Sequence, residues 1–173
     1  MAKIFKFELQ VWVLAIVLFF TIMPIQNSTA SAQGKKSYVD YVDTRQGTDS
    51  HFGLSYGNTY PITAMPFAMH AWSPHTGPNG EGFKYQYFLD KIRGFQQVHQ
   101  CSPWVSDYAV YTLMPVVGEL KVGHEERASQ FSHDNEVAKP HYYSVKFDNG
   151  ILSEIAPTTR GSRVKLATPK SLY

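Results

Sequence analysis

Tyr142–Ala167 reads YYSVKFDNGILSEIAPTTRGSRVKLA. Two strand-like runs, Tyr142–Phe147 and Ile151–Ala156, flank Asp148-Asn149-Gly150. Asn-Gly supplies the positive φ values of a type I′ turn, so this stretch predicts a β-hairpin. A third run, Arg163–Ala167, follows it. Toward the amino terminus, similar short runs recur at Tyr38–Val42, Met65–Trp72, Arg93–His99, Val110–Pro115 and Gly118–Val122, bounded by Gly, Pro, Asn and Asp. No amphipathic helical period stands out after residue 33. Short runs at this spacing predict an all-β chain folded as an antiparallel β-sandwich.

Between these runs lie two long irregular segments, Gln46–Thr59 (QGTDSHFGLSYGNT) and Ser73–Tyr85 (SPHTGPNGEGFKY). Long loops on a rigid sheet are either functional or disordered, and the aromatic and His content of these two favours function. A third segment, Gly123–Pro140, is polar and reads as a solvated connection.

The amino terminus has a different grammar. Lys3 and Lys6 precede an apolar run, Val11–Pro24, and Ala30-Ser31-Ala32 forms a small-x-small site before Gln33. That is the pattern of a secretory signal peptide, with a signal helix at residues 1–32 and a mature domain at 33–173. The run is short of the ~20 residues a spanning helix needs. A secreted or periplasmic protein is expected. Asn27-Ser28-Thr29 matches a glycosylation sequon but falls inside the signal.

Removing 32 of the 173 residues leaves 141, enough for one domain with a core. The formal charge of +2 loses Lys3 and Lys6 with the signal, so the mature chain is near neutral. Neither nucleic acid nor an anionic membrane is favoured by such a balance. Cys101 is the one cysteine, which excludes an internal disulfide.

Candidate chemistry concentrates in Arg93–Gly118, RGFQQVHQCSPWVSDYAVYTLMPVVG. Phe95, Trp104, Tyr108 and Tyr111 stand among His99, Gln100, Ser102 and Asp107, with Arg93 and Asp107 the two charges. Aromatic faces beside neutral hydrogen-bonding groups suit a sugar, which has apolar C–H faces and hydroxyl edges. Trp104 sits in a turn after Ser102-Pro103, as a ligand platform or as a buried loop anchor. Asp107 could accept sugar hydroxyls or cap that turn. Asp43, Asp49, Glu81, Asp90 and Asp107 are the available carboxyls, and their spacing marks no acid/base pair of the kind a glycosidase needs. The seven histidines, His51, His70, His75, His99, His124, His133 and His141, show no HExxH or finger-type spacing and read as surface or loop residues. No GxSxG or SxxK occurs. Cys101 and His99 share a face if extended, yet a lone Cys among aromatics is more often a packing residue.

Several motifs in order resemble the N-terminal domain of glycoside hydrolase family 92, the calcium-dependent exo-α-mannosidases. YVDTRQGT at Tyr41–Thr48 is similar to the family's "YVDPFIGT". GNTYPITAMPFAMHAWSP at Gly57–Pro74 is similar to "GNTYPGATLPFGMVQLSP". KIRGFQQVHQCSPWVSDYAVYTLMPVVG, FSHDNEVAKPHYYSVKFDNGI and APTTRGSRVKL follow in the family's order. The resemblance implies a β-sandwich of the galactose-mutarotase-like super-sandwich kind, packed on a larger (α/α)6 domain, with the active site between them. It implies removal of terminal α-linked mannose from glycans with inversion, and calcium that helps distort the sugar ring. The acid, the base and most calcium contacts belong to the helical domain, so no catalytic or metal residue is expected in this chain, which is taken as incomplete and inactive alone. What it would contribute is substrate-pocket loops, His51, Phe52 and Asn58 from one, His99, Gln100, Ser102, Trp104 and Asp107 from the other, with Trp104 the main sugar contact. A carbohydrate-binding module without catalysis, or a gene fragment without function, are the alternatives.

The sequence departs from the family in places. Ile62-Thr63 replaces Gly-Ala, Ala68 and Ala109 replace glycines, and Cys101 stands where Pro is common. The two alanines require negative φ. The tail after Leu166 loses the pattern, so truncation before the helical domain is expected.

Overall fold

The computed structural model describes residues 36–49, 59–77, 85–99 and 109–168. The expected signal segment lies outside them. Eight strands follow in order: β1 (Ala71–His75), β2 (Lys91–Ile92), β3 (Gly94–Val98), β4 (Ala109–Leu113), β5 (Ser129–Lys139), β6 (Tyr142–Phe147), β7 (Leu152–Pro157) and β8 (Ser162–Ala167). They form two antiparallel sheets, one ordered β1-β3-β4 and one ordered β2-β5-β6-β7-β8. The all-β sandwich expected from the sequence is the observed architecture. Among the described residues no helix is long and apolar enough to cross a membrane.

The hairpin that set the expectation is present, with a different turn. Gly150 N–H donates to the Phe147 carbonyl at 2.9 Å, and Phe147 N–H donates to the Ile151 carbonyl at 2.9 Å. Gly150 has φ 86°, while neither Asp148 nor Asn149 has positive φ. This is a type I turn followed by a left-handed glycine, the three-residue hairpin loop, and not type I′. Asn149 Oδ1 accepts from Ile151 N–H at 3.1 Å and closes it.

One core fills the space between the sheets. Trp72 of β1 and Phe95 of β3 meet Phe131 and Ala138 of β5, Tyr143, Val145 and Phe147 of β6, and Ile155 of β7. Ile92 and Ile151 complete it. Phe147 is 1% exposed, and burying such a side chain contributes about 1.5–3 kcal/mol. In β7 burial alternates along the strand, with Ser153, Ile155 and Pro157 inward, as a half-buried strand requires.

Four expectations fail. Tyr38–Tyr41 is a 3-10 turn with no buried residue, so no apolar face holds it in a sheet. Gly118–Val122 forms no strand, and Leu120 and Val122 are exposed. The strand expected at Met65–Trp72 begins at Ala71 and runs on through Ser73–His75, inside the expected loop Ser73–Tyr85. The polar connection Gly123–Pro140 contains the longest strand, β5. Its signal is hidden by a bulge. Between Phe131↔Phe147 and Glu136↔Val145, β5 advances five residues while β6 advances two. The excess breaks the alternation, and the next inward position holds the carboxylate Glu136 rather than an apolar group.

The alanines at departures from the family pattern keep negative φ. Positive φ falls on Phe67 instead, at 58°.

Candidate functional site

The two segments expected to face a sugar, and the long irregular segment Ser73–Tyr85, have their ends in one place. The first runs between Thr48 and Thr59. Thr59 N–H donates to the Gly47 carbonyl at 3.4 Å, and Thr59 Oγ1 donates to the Gln46 carbonyl at 2.9 Å. Thr48 Oγ1 donates to the Arg45 carbonyl at 2.6 Å. The second runs between Thr76 and Tyr85, and Gln86 N–H donates to Thr76 Oγ1 at 2.8 Å. The third runs between Val98 and Ala109, which pair across β3 and β4.

A small apolar cluster joins these ends. Tyr60, Tyr85 and Val98 are buried against one another, with Ile62, Ala71 and Ala109 packed around them. Tyr60 lies beside the first segment, Tyr85 beside the second, and Val98 and Ala109 at the two ends of the third. Tyr87 N–H donates to the Thr48 carbonyl at 3.1 Å, which ties the first two stems directly.

Beneath the stems lies a buried carboxylate. The Glu136 side chain is 0% exposed. It accepts from the Tyr143 hydroxyl at 2.6 Å and from the Tyr85 hydroxyl at 3.0 Å. Arg45 Nη1 lies 3.5 Å away, and His133 Nδ1 lies 2.7 Å away. His133 Nε2 is 2.6 Å from the Tyr87 carbonyl, and its ring stacks on Tyr87 with centroids 4.0 Å apart. Burial first, and then the charge of Glu136, pushes both tyrosine hydroxyls well above the usual tyrosine range. They therefore stay protonated and donate. Arg45 also grips Asp43 at 2.6 Å. That hydrogen bond holds the Asp43 carboxyl below the usual range and raises the guanidinium. Beside this group a polar cleft of about 240 Å³ opens, lined by Asp40, Tyr41, Asp43, Arg45 and Lys139 among others.

Of the residues expected to contact sugar, only His99 is described. It is exposed and follows β3 directly, where the third segment begins. His51, Phe52, Asn58, Gln100, Ser102, Trp104 and Asp107 lie outside the described residues. Two histidines read as surface or loop residues are instead buried. His70 Nε2 is 3.0 Å from the Gly161 carbonyl, and His75 Nδ1 is 2.9 Å from Gln96 Nε2. Tyr85, Arg45, His133 and Glu136 were missed. The available signal was Glu136 itself, a carboxylate between Phe131 and Ala138 in the run FSHDNEVAKPHYYSVKFDNGI.

The sequence matches the glycosyl hydrolase family 92 N-terminal domain over residues 41–171. The chain belongs to glycosyl hydrolase family 92. Among solved structures, this family 92 domain is similar to an inverting mannosidase of Bacteroides thetaiotaomicron at 46% identity and TM-score 0.73, covering 80% of this chain and 19% of that one. It is also similar to a family 92 α-mannosidase of the same organism at 30% identity and TM-score 0.69, covering 79% of this chain and 19% of that one. That α-mannosidase in complex with mannoimidazole matches at 31% identity and TM-score 0.67, covering 77% of this chain and 18% of that one. This chain therefore spans about a fifth of the length of those enzymes. No curated protein sequence matches.

Calcium takes six to eight oxygen ligands. Among the described residues of this family 92 domain, no three of His, Cys, Asp and Glu stand together to hold a metal. Glu136 is unsuited, because both its oxygens already face donors. The described residues thus do not fit the calcium that the family resemblance implies.

Proposed function

We propose that residues 33–173 form the amino-terminal domain of an exported exo-α-mannosidase, and that the domain supplies one wall of its mannose pocket. The observation that carries this reading is the meeting of three loop stems at the Tyr60–Tyr85–Val98 cluster. Loops rooted together can present His51, Phe52, Asn58, His99, Gln100, Ser102, Trp104 and Asp107 to one ligand. The similarity to mannosidases points to mannose as that ligand. Export rests on the signal grammar of residues 1–32.

The reaction is hydrolysis of a terminal α-mannoside with inversion. It needs an acid at the leaving oxygen and a base that activates water on the opposite face, spaced to admit that water. Both groups come from a helical partner domain, as do the oxygen ligands for calcium. The wall built by this chain orients the sugar: Trp104 stacks on its apolar face, and Asp107, His99, Gln100 and Ser102 meet its hydroxyls. Such positioning lowers the entropic part of the barrier. The chain alone is then expected to bind weakly and to turn nothing over.

Saturation-transfer NMR with α-mannobiose tests the wall directly. Transfer to the sugar protons is expected, with loss in Trp104→Ala. No transfer at millimolar sugar, or equal transfer to cellobiose, overturns the reading. Turnover of an aryl α-mannoside by the chain alone, dependent on Asp107, would overturn the division of labour.

A further inference from the structure

We propose that Glu136 is a positioning residue: it fixes the place of the first stem, which carries His51, Phe52 and Asn58, against the second stem beside it. This inference rests on the mannose-wall reading above.

A fully buried carboxylate is poor at adding stability. Its desolvation offsets most of what its partners return, and an apolar group of similar size is often as good or better. What such a group supplies is direction. Glu136 gathers donors from four separate parts of the chain. Arg45 comes from the run leading into Gly47 and Thr48, Tyr85 from the end of the second segment, His133 from the β5 bulge, and Tyr143 from the core of β6. Two of the four belong to loop stems. A third, His133, stacks on Tyr87 of the second stem, whose N–H meets the Thr48 carbonyl of the first. The fourth, Tyr143, packs edge-on against Phe95 with ring centroids 5.9 Å apart. Glu136 is thus referenced to the rigid core on one side and to both stems on the other.

The bulge serves the same geometry. Without the excess residues of β5, His133 and Glu136 could not both reach the stem side of the sheet next to Tyr87 and Tyr85. Bulges re-aim side chains next to functional sites.

The alternative is that Glu136 merely holds the core together, in which case its loss loosens everything alike. Amide hydrogen exchange in the full chain separates the two, because it reads local opening site by site. The reporters are the Thr59 and Tyr87 amides of the stems, with the β6–β7 ladder as internal reference. Tyr85→Phe removes one hydroxyl and Glu136→Gln removes the charge. Each is expected to speed exchange at Thr59 and Tyr87 by more than about tenfold. The ladder should hardly change, and saturation transfer to mannobiose should fall in parallel. Glu136→Asp keeps the charge but shortens the reach, and should lie between. Ile155→Val, a core truncation on the strand paired with β6 that removes no donor to Glu136, should raise stem and ladder exchange together. If Tyr85→Phe behaves like Ile155→Val, or leaves the stems unchanged, the proposal is overturned. Should Glu136→Gln fail to fold, Tyr85→Phe alone decides. Should the wild-type chain show no saturation transfer, the mannose reading falls, while the exchange experiment still tests the positioning.

Discussion

Phe95 of the three-stranded sheet meets Tyr143 of the five-stranded sheet edge to face, their rings 5.9 Å apart at 62°. Both are 1% exposed. The contact crosses the sandwich, so truncating it leaves a cavity that neither sheet can close alone. Phe95→Ala is expected to cost about 3–5 kcal/mol in urea unfolding, and Phe95→Leu clearly less.

Tyr143 and Tyr85 make the fold sensitive to alkali. Their folded-state pKa values lie above the ordinary tyrosine value, so the unfolded chain releases these protons first. Their contribution is complete below pH ~10 and is lost as pH rises beyond it. Each steepens that loss by up to about 1.4 kcal/mol per pH unit. Tyr85→Phe should therefore flatten the slope of unfolding free energy above pH ~10 by up to that amount. An unchanged slope would show that Tyr85 ionises normally.

Gly94 permits the approach of β4 to β3. Its φ is 152°, and an added Cβ would sit 2.2 Å from Thr112 Cγ2 and 2.9 Å from the Leu113 carbonyl oxygen. Gly94→Ala must push the strands apart. A loss of about 2–3 kcal/mol is expected, typical of forced overpacking with backbone shift, read as a lower unfolding midpoint.

Phe67 points the other way. Ala68 N–H donates to the Met65 carbonyl at 3.1 Å around Pro66-Phe67, and φ at Phe67 is 58°. That is a type II turn with a bulky residue where Gly or Asn belongs. The ring is fully exposed, so no packing offsets the strain. Phe67→Asn is expected to raise stability by about 1 kcal/mol in thermal unfolding.

The sandwich was legible because most of its strands obey local rules. Tyr142–Phe147 was bounded correctly, and the turn after it was located from Asp148-Asn149-Gly150. β5 was not legible, because its bulge breaks the period and its buried position carries Glu136. That residue becomes acceptable inside only through Arg45, Tyr85, His133 and Tyr143, two of them 91 and 51 residues away. Periodicity reads neighbours, and Arg45 and Tyr85 are not neighbours of Glu136. The sugar-facing candidates rest on the family resemblance, joined for His99–Asp107 by residue chemistry. Their stems could be placed together only once Tyr60, Tyr85 and Val98 were seen to share one cluster.

The distances along the chain at Glu136 have a consequence for the order of folding. Tyr143 is seven residues away, Tyr85 is 51 and Arg45 is 91. Loop closure favours the near partner first. During synthesis Arg45 leaves the ribosome long before residues 136 and 143 exist to receive it. The run that frames the first stem is therefore among the earliest made of the domain and among the last to find its place.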